Sequence, residues 1–121
     1  MSLKLRQEIE VWYIIPAIRK EIAKGLVGKG LKQRAVARKL DITDAAVSQY
    51  FTSKRGGEVK FSQKMKKEIN DSIERMMKGS NAMKEIQRLC RAAHDDGLCC
   101  YVHKHHGAPN DCEVCFPKTG G

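Results

Sequence analysis

The sequence lacks a long apolar run, internal repeats and low-complexity tracts. No apolar stretch approaches the roughly 18 residues that a membrane-spanning helix needs. The opening decapeptide, MSLKLRQEIE, has no apolar core of the kind that a secretory signal requires. We therefore expect a cytoplasmic protein with no membrane partner.

Recognisable catalytic spacing is also lacking. No Asp or Glu stands beside the cysteines and histidines at a spacing that would make it a general base for a metal-bound hydroxide. A chain of 121 residues fits one small domain rather than a multi-domain enzyme. We expect no enzyme activity and no catalytic residue.

Positive charge is what the chain has in excess. It carries 23 Lys and Arg against 14 Asp and Glu, a net charge of +9 with an isoelectric point near 9.5. Residues 1–60 carry +7 and residues 61–89 carry +3, whereas residues 90–121 carry −1. An excess of this kind favours a polyanionic partner, above all nucleic acid. The binding face should therefore lie within residues 1–89, and the tail, residues 90–121, should have another role.

Apolar residues recur at helical spacing from residue 5 to residue 26, and the glycines that follow should end this helix. Pro16 predicts a kink, or a break with Pro16 in the first turn of the next helix. We expect Trp12 and Tyr13 to make core or dimer contacts rather than to stack on a ligand. The expected apolar stripe is Ile9, Trp12 or Tyr13, Ile18, Ile22 and Leu26.

The pattern of apolar residues at 33–51 predicts two short helices joined by a tight turn. Residues 33–40 should form the first helix, burying Val36, Ala37 and Leu40. Thr43 is a favourable N-cap for the second, at 44–51, which would bury Val47 and either Tyr50 or Phe51. Such a pair is typical of a helix-turn-helix.

The solvent face of the second helix suits the reading of DNA bases. Gln can bond an adenine edge with two hydrogen bonds, and Ala or Thr can pack on a thymine methyl group. Polar and basic residues around it would contact phosphates. The candidate DNA-binding residues are Gln33, Arg34, Thr43, Asp44, Ala45, Ser48, Gln49, Thr52, Lys54 and Arg55.

Two further helices are expected. Ser62 should cap a helix that runs to about Met77, and Ser80 or Asn81 should begin another that runs toward His94 and stops at Gly97. Beyond this point we find no sustained periodicity. The sequence thus predicts an all-α fold with a loop-rich C-terminal tail.

The blocks VWYIIPAIRKEIAKGL and LKQRAVARKLDITDAAVSQYFTSKRGG resemble the archaeal predicted transcription regulators with a Cro/phage-repressor-type helix-turn-helix. The resemblance extends into the cysteine-bearing tail. It implies a lambda-repressor-like helical domain at residues 1–89 and a cytoplasmic, dimeric regulator that binds double-stranded DNA. Asp41 departs from the pattern, since such turns usually carry Gly here, but Asp tolerates left-handed backbone better than most residues.

All five cysteines and all four histidines fall in the last 32 residues. Cys112 and Cys115 have the spacing of a metal-binding pair. A structural zinc ion and an iron–sulfur cluster both fit, and the family resemblance favours the cluster; reduced thiols or a Cys112–Cys115 disulfide are the alternative. A Cys3His zinc site using His103 also stays open. The candidate metal ligands are Cys90, Cys99, Cys100, Cys112 and Cys115.

The sequence therefore predicts a sequence-specific transcription regulator with a metal or redox centre in its tail. The alternative is a basic RNA-binding or ribosome-associated protein with a structural zinc site. A preference for structured RNA over duplex DNA would distinguish the second from the first.

Overall fold

The computed structural model describes residues 6–52, 59–98 and residue 102, and every regular element in these ranges is helical. The expected all-α class is thus confirmed. Within the described ranges, no helix is both long enough and apolar enough to cross a membrane. The elements are α1 (Arg6–Ile9), a π-helical turn (Glu10–Ile14), α2 (Ile15–Gly28), α3 (Gln33–Leu40), α4 (Asp44–Thr52), α5 (Gln63–Met77) and α6 (Ala82–Asp95).

The chain stays helical through Pro16 because a π-helical turn precedes it. The N–H of Ile15 donates to the carbonyl of Glu10, five residues earlier, and Pro16 lies in the first turn of α2. A proline ring clashes with the carbonyl four residues before it, and a wider turn relieves such crowding. Of the two outcomes expected at Pro16, the structure shows the first-turn position, without a break in the helix.

The wider turn also changes which residues enter the core. Ile9 and Ile14 are fully buried, whereas Trp12 is 58% exposed. Tyr13 is partly buried against the core. Of the two residues expected in the apolar stripe, Tyr13 therefore packs against the core and Trp12 does not, and a dimer contact of Trp12 stays a prediction. The π-helical turn moves the fully buried position from three or four residues after Ile9 to five.

Helix ends follow the signals in the sequence. The Ser62 hydroxyl accepts a hydrogen bond from Met65 N–H at 3.1 Å, which caps α5. The Asn81 side chain accepts from the N–H groups of Met83 and Lys84 and caps α6. Gly97, just after α6, has φ +81°, a backbone conformation that favours glycine. These termini confirm the expected boundaries of both helices.

The three long helices α2, α5 and α6 pack against one another, and the short α3 and α4 pack on each other and on α2. Helix α5 runs antiparallel to α6, since Ser62 bonds Asp96 at one end and Arg75 bonds Glu85 at the other. Helices α2 and α5 cross closely at Gly25. A Cβ atom at this position would clash with Ile73 Cδ1, so any larger residue here would force the Ile73 side chain to shift.

Glu85 lies inside the bundle at 1% exposure. Ser80 Oγ donates to its carboxylate at 2.7 Å and Arg75 Nε at 3.0 Å. Burial by itself would raise the pKa of Glu85, but hydrogen bonds from Ser80, Ser72 and Arg75 and the charge of Arg75 outweigh it and lower the pKa to about 2. Glu85 is therefore a buried, ionised junction between α5 and α6.

Helix α6 runs through the boundary expected after residue 89, so Cys90 belongs to the helical body. Beyond α6, Leu98 and Val102 are each 5% exposed and join the same core. Leu98 and Val102 are therefore part of the helical body although both follow α6. The remainder of the expected loop-rich tail lies outside the described residues.

Candidate nucleic-acid interface

Asp41 shapes the connection between α3 and α4. Its φ and ψ are 56° and 46°, the left-handed conformation that ends α3, and Ile42 N–H then bonds the carbonyl of Ala37 at 3.0 Å. Asp reaches this conformation at lower cost than most residues other than Gly and Asn. The turn expected from the sequence therefore forms with Asp where glycine is usual.

Thr43 begins α4. Its Oγ1 accepts a hydrogen bond from Ala46 N–H at 3.0 Å, which satisfies one of the donors that a helix start leaves unpaired. The Thr43 hydroxyl therefore accepts a hydrogen bond from the backbone of α4 itself. Of the candidate DNA-binding residues, Thr43 has a structural role that the sequence had also assigned to it.

The buried side of α4 fixes the direction of its exposed side. Val47 is fully buried and Tyr50 is 2% exposed, whereas Phe51 is 39% exposed. The choice left open between Tyr50 and Phe51 thus falls on Tyr50. The opposite side of α4 carries exposed Asp44, Ala45, Gln49 and Thr52, with half-buried Ser48 among them.

These exposed side chains are short or amide-bearing, so α4 can approach another surface closely. The Thr52 hydroxyl donates to the carbonyl of Ser48 at 3.0 Å, which leaves its methyl group and its oxygen lone pairs toward solvent. Ala45 presents a methyl group alone. No lysine or arginine lies on α4, so its exposed face has hydrogen-bonding character rather than positive charge.

The neighbouring helix α3 places positive charge beside α4. Gln33 and Arg34 are exposed in its first turn, and Arg34 Nε lies 4.0 Å from Asp44 Oδ2. An exposed pair at this distance adds little stability. Its relevance is electrostatic, because the guanidinium offsets the one carboxylate on the exposed face of α4. Lys54 and Arg55, the other expected phosphate contacts, lie outside the described residues.

Further basic residues are exposed on α5, where Lys66 borders a groove with Glu21 and Lys24 of α2. Lys64, Lys66 and Lys67 are exposed in the first turns of α5. Acidic residues are the favourable ones near a helix N-terminus, and the first turn of α5 contains none. This departure from the usual charge pattern was visible in the sequence once Ser62 had been recognised as a cap.

Of the expected metal ligands, only Cys90 lies within the described residues. It is half-buried and lines a groove of about 380 Å³ between the N-terminal helix and α6, together with Glu10, Ile15 and His94. Burial raises the pKa of the Cys90 thiol to about 11; the charge of Glu10 acts in the same direction and that of Arg19 against it.

The described part of the chain does not by itself bring together three His, Cys, Asp or Glu side chains able to hold a metal ion. Cys99, Cys100, Cys112 and Cys115, like His103, lie outside it. In the described residues, Cys90 shares its groove with Glu10 and with His94, which is one helical turn further along α6.

Comparison with protein-family models, with curated proteins and with solved structures finds no match for this chain. The functional proposals below therefore depend on the residues and their geometry.

Proposed function

We propose that this protein is a sequence-specific regulator of transcription that binds double-stranded DNA. In this proposal α3 and α4 form a helix-turn-helix, and α4 is the recognition helix that enters the major groove. The observation that carries it is the two-sided character of α4. Val47 and Tyr50 anchor one side in the core, and the opposite side presents small or hydrogen-bonding residues to solvent.

Gln49 and Ala45 are the main candidates for reading bases. An exposed glutamine amide can pair with the edge of adenine, and the methyl groups of Ala45 and Thr52 can pack on the methyl of thymine. Ser48 is half-buried, so less of its side chain is open to a base contact than that of Gln49. Base reading needs close approach, and the short side chains of Ala45, Ser48 and Thr52 on this face permit it.

Phosphate contacts would come from the first turn of α3 and from the segment after α4. Gln33 and Arg34 are exposed beside the N-terminus of α4, where Arg34 also neutralises Asp44. Lys54 and Arg55 follow α4 in the sequence. The net charge of +9 adds the long-range attraction that draws such a protein to DNA.

A homodimer completes this proposal, because one recognition helix covers too few base pairs for useful specificity. The apolar run from Trp12 to Ile15 and the helix at residues 61–77 are the two candidates for a twofold interface, but Ile14 is buried within the chain itself. Val11 and Trp12 are 59% and 58% exposed on the π-helical turn and are the better candidates. Sedimentation should show a dimer at micromolar concentration; a monomer bound to a single half-site would refute the dimer.

The test of the function is a selection from random duplex DNA in a buffer of fixed, stated salt concentration. We expect enrichment of a pseudo-palindromic sequence with half-sites one helical turn apart. A parallel selection from structured RNA is the control. Enrichment of RNA without any duplex consensus would overturn the proposal in favour of an RNA-binding protein.

A further inference from the structure

We propose that the groove between α2 and α5 binds a small organic anion, a carboxylate with an aromatic or short aliphatic body. This inference concerns a ligand site apart from DNA binding and does not depend on it. The groove lies between residues 21–25 of α2 and residues 66–73 of α5, has a volume of about 360 Å³, and is called the α2–α5 groove below.

The floor of the α2–α5 groove is apolar. Ile69 and Ile73 line it from α5, and each is 4% exposed. Gly25 lines it from α2 without a side chain, so α2 does not fill the groove at this point. Grooves that bind small molecules in proteins have volumes of about 300–1,000 Å³, and this one lies at the lower end of that range. The floor therefore has room for a small ring system or a short alkyl chain rather than for a large ligand.

Positive charge stands on both walls of the groove. Lys24 lines it from α2 and Lys66 from α5, and both side chains are exposed. Within the described ranges, neither ammonium group has a carboxylate within 4.0 Å, whereas Lys29, just after α2, is paired with Glu74. Because the two lysines come from different helices, an anion between them is attracted from two sides.

The remaining polar groups fix the sign of the preferred ligand. Glu21 is half-buried and is the one acidic side chain that lines the groove in the described part of the chain. Two lysines and one glutamate give the lining a net charge of +1. Asn70 adds an amide that can donate to a carboxylate oxygen. The groove therefore favours an anion over a cation.

The floor and the walls together select the chemical class of the ligand. A small inorganic anion would pair with the lysines but would leave the apolar floor in contact with water. A neutral apolar molecule would cover the floor but would give the lysines no counter-charge. A carboxylate with an apolar body satisfies both, and an apolar lining with a few polar groups is the usual composition of a small-molecule site.

The experiment uses the full, isotopically labelled chain and three probes. These are naphthoate, the cation naphthylmethylammonium, which has the same ring system, and inorganic phosphate. Each titration follows the NMR signals of the Gly25 amide and of the Ile69 and Ile73 methyl groups. We expect saturable shifts with naphthoate and a dissociation constant of about 1 mM or lower. The cation should bind about tenfold more weakly, and phosphate should leave the isoleucine methyl signals unchanged.

Three outcomes would overturn the proposal. Equal affinity for naphthoate and for the cation would show that the groove takes up apolar rings without regard to charge. Shifts of the isoleucine methyl signals with phosphate as large as those with naphthoate would show that the apolar body is not recognised. The third is the lack of saturable shifts at these residues when naphthoate reaches about tenfold the expected dissociation constant.

Variants then assign the charges. Lys24→Gln and Lys66→Gln should each weaken naphthoate binding by about two- to fivefold, the contribution of an exposed charge pair, and Glu21→Gln should strengthen it by a similar factor. Lys67→Gln is the matched control, since it removes the same charge from the next residue of α5, which does not line the groove. All four side chains are exposed or half-buried, so melting temperatures should stay within about 1 °C. Equal weakening in Lys67→Gln and Lys66→Gln would show that net charge, and not the groove, attracts the anion.

Discussion

The α2–α5–α6 bundle and the α3–α4 pair use their polar residues in opposite ways. In the bundle, Glu85 and Ser72 are buried, and each is hydrogen-bonded to a neighbouring helix or turn. On α4, the polar side chains lie on the exposed side, and the buried side is apolar. The polar groups of the bundle thus hold helices together, whereas those of α4 lie exposed to solvent. Substitutions should therefore separate stability from binding.

The largest expected effect is on the bundle, in Glu85→Gln. The folded-state pKa of about 2 lies below the unfolded value near 4.3, so ionised Glu85 stabilises the fold above roughly pH 4.5. The variant should lose up to about 3 kcal/mol at pH 7. The gap between the two proteins should narrow as the pH falls from about 4.5 to 2. Urea unfolding across this range measures it.

Glu74→Gln is the matched control for that experiment. Glu74 also has a lowered pKa, through its hydrogen bond and charge interaction with Lys29, but both side chains are about half exposed. Exposed pairs contribute little, so this variant should unfold close to the original chain. Equal losses in the two variants would show that burial of Glu85 is not what makes it important.

The second effect is at the close crossing of α2 and α5. Gly25→Ala places a methyl group 2.2 Å from Ile73 Cδ1, and Ile73 is itself 4% exposed. Overpacking of this kind costs about 1–3 kcal/mol, of which the better helix propensity of alanine returns about 1 kcal/mol. We expect a lower melting temperature, measured by circular dichroism.

Two further variants sharpen the result at Gly25. The double variant Gly25→Ala/Ile73→Val removes the clashing Cδ1 atom and should recover part of the loss. At Gly28, by contrast, an added Cβ meets nothing within 4 Å, so Gly28→Ala should be neutral or slightly stabilising. A Gly25→Ala protein as stable as Gly28→Ala would mean that Ile73 moves aside freely.

Local signals in the sequence predicted the local features of the structure. Caps at Thr43, Ser62 and Asn81 and the left-handed Asp41 depend on a few adjacent residues, and each was predicted from its side chain. The burial of Glu85 was missed because it depends on Ser80 and Arg75 meeting at the junction of two helices. The spacing of residues along one helix does not predict such contacts between helices.

The N-terminal helix also differs from what its sequence spacing predicts. A regular helix places Trp12 or Tyr13 beside Ile9, and the π-helical turn replaces them with Ile14. The sequence identified Pro16 as the cause of an irregularity in this helix. Whether that irregularity is a kink, a break or a π-helical turn depends on how the helix packs. In the candidate DNA interface, the solvent side of α4 was predictable because Val47 and Tyr50 share a helical face.

The α4 face should respond in binding and not in stability. Gln49 is exposed, so Gln49→Ala should leave the melting temperature within about 1 °C. It should flatten base preference at one or two positions by roughly 1–3 kcal/mol, measured by repeating the selection and titrating the consensus and its single-base variants. Gln87→Ala, an exposed glutamine on α6, is the control. An unchanged consensus in Gln49→Ala would show that another face reads DNA.

The smallest effect expected is that of Arg34→Ala. A phosphate contact carries no base information, so affinity should fall by a similar factor for every sequence. The slope of log affinity against log salt concentration should decrease by about 1, since one fewer counterion is released. Arg91→Ala removes the same charge from exposed α6 and serves as the control. If both variants change the salt slope equally, the loss of net charge alone accounts for the change. If Arg34→Ala instead alters base preference, the pairing of Arg34 with Asp44 positions α4 for base reading.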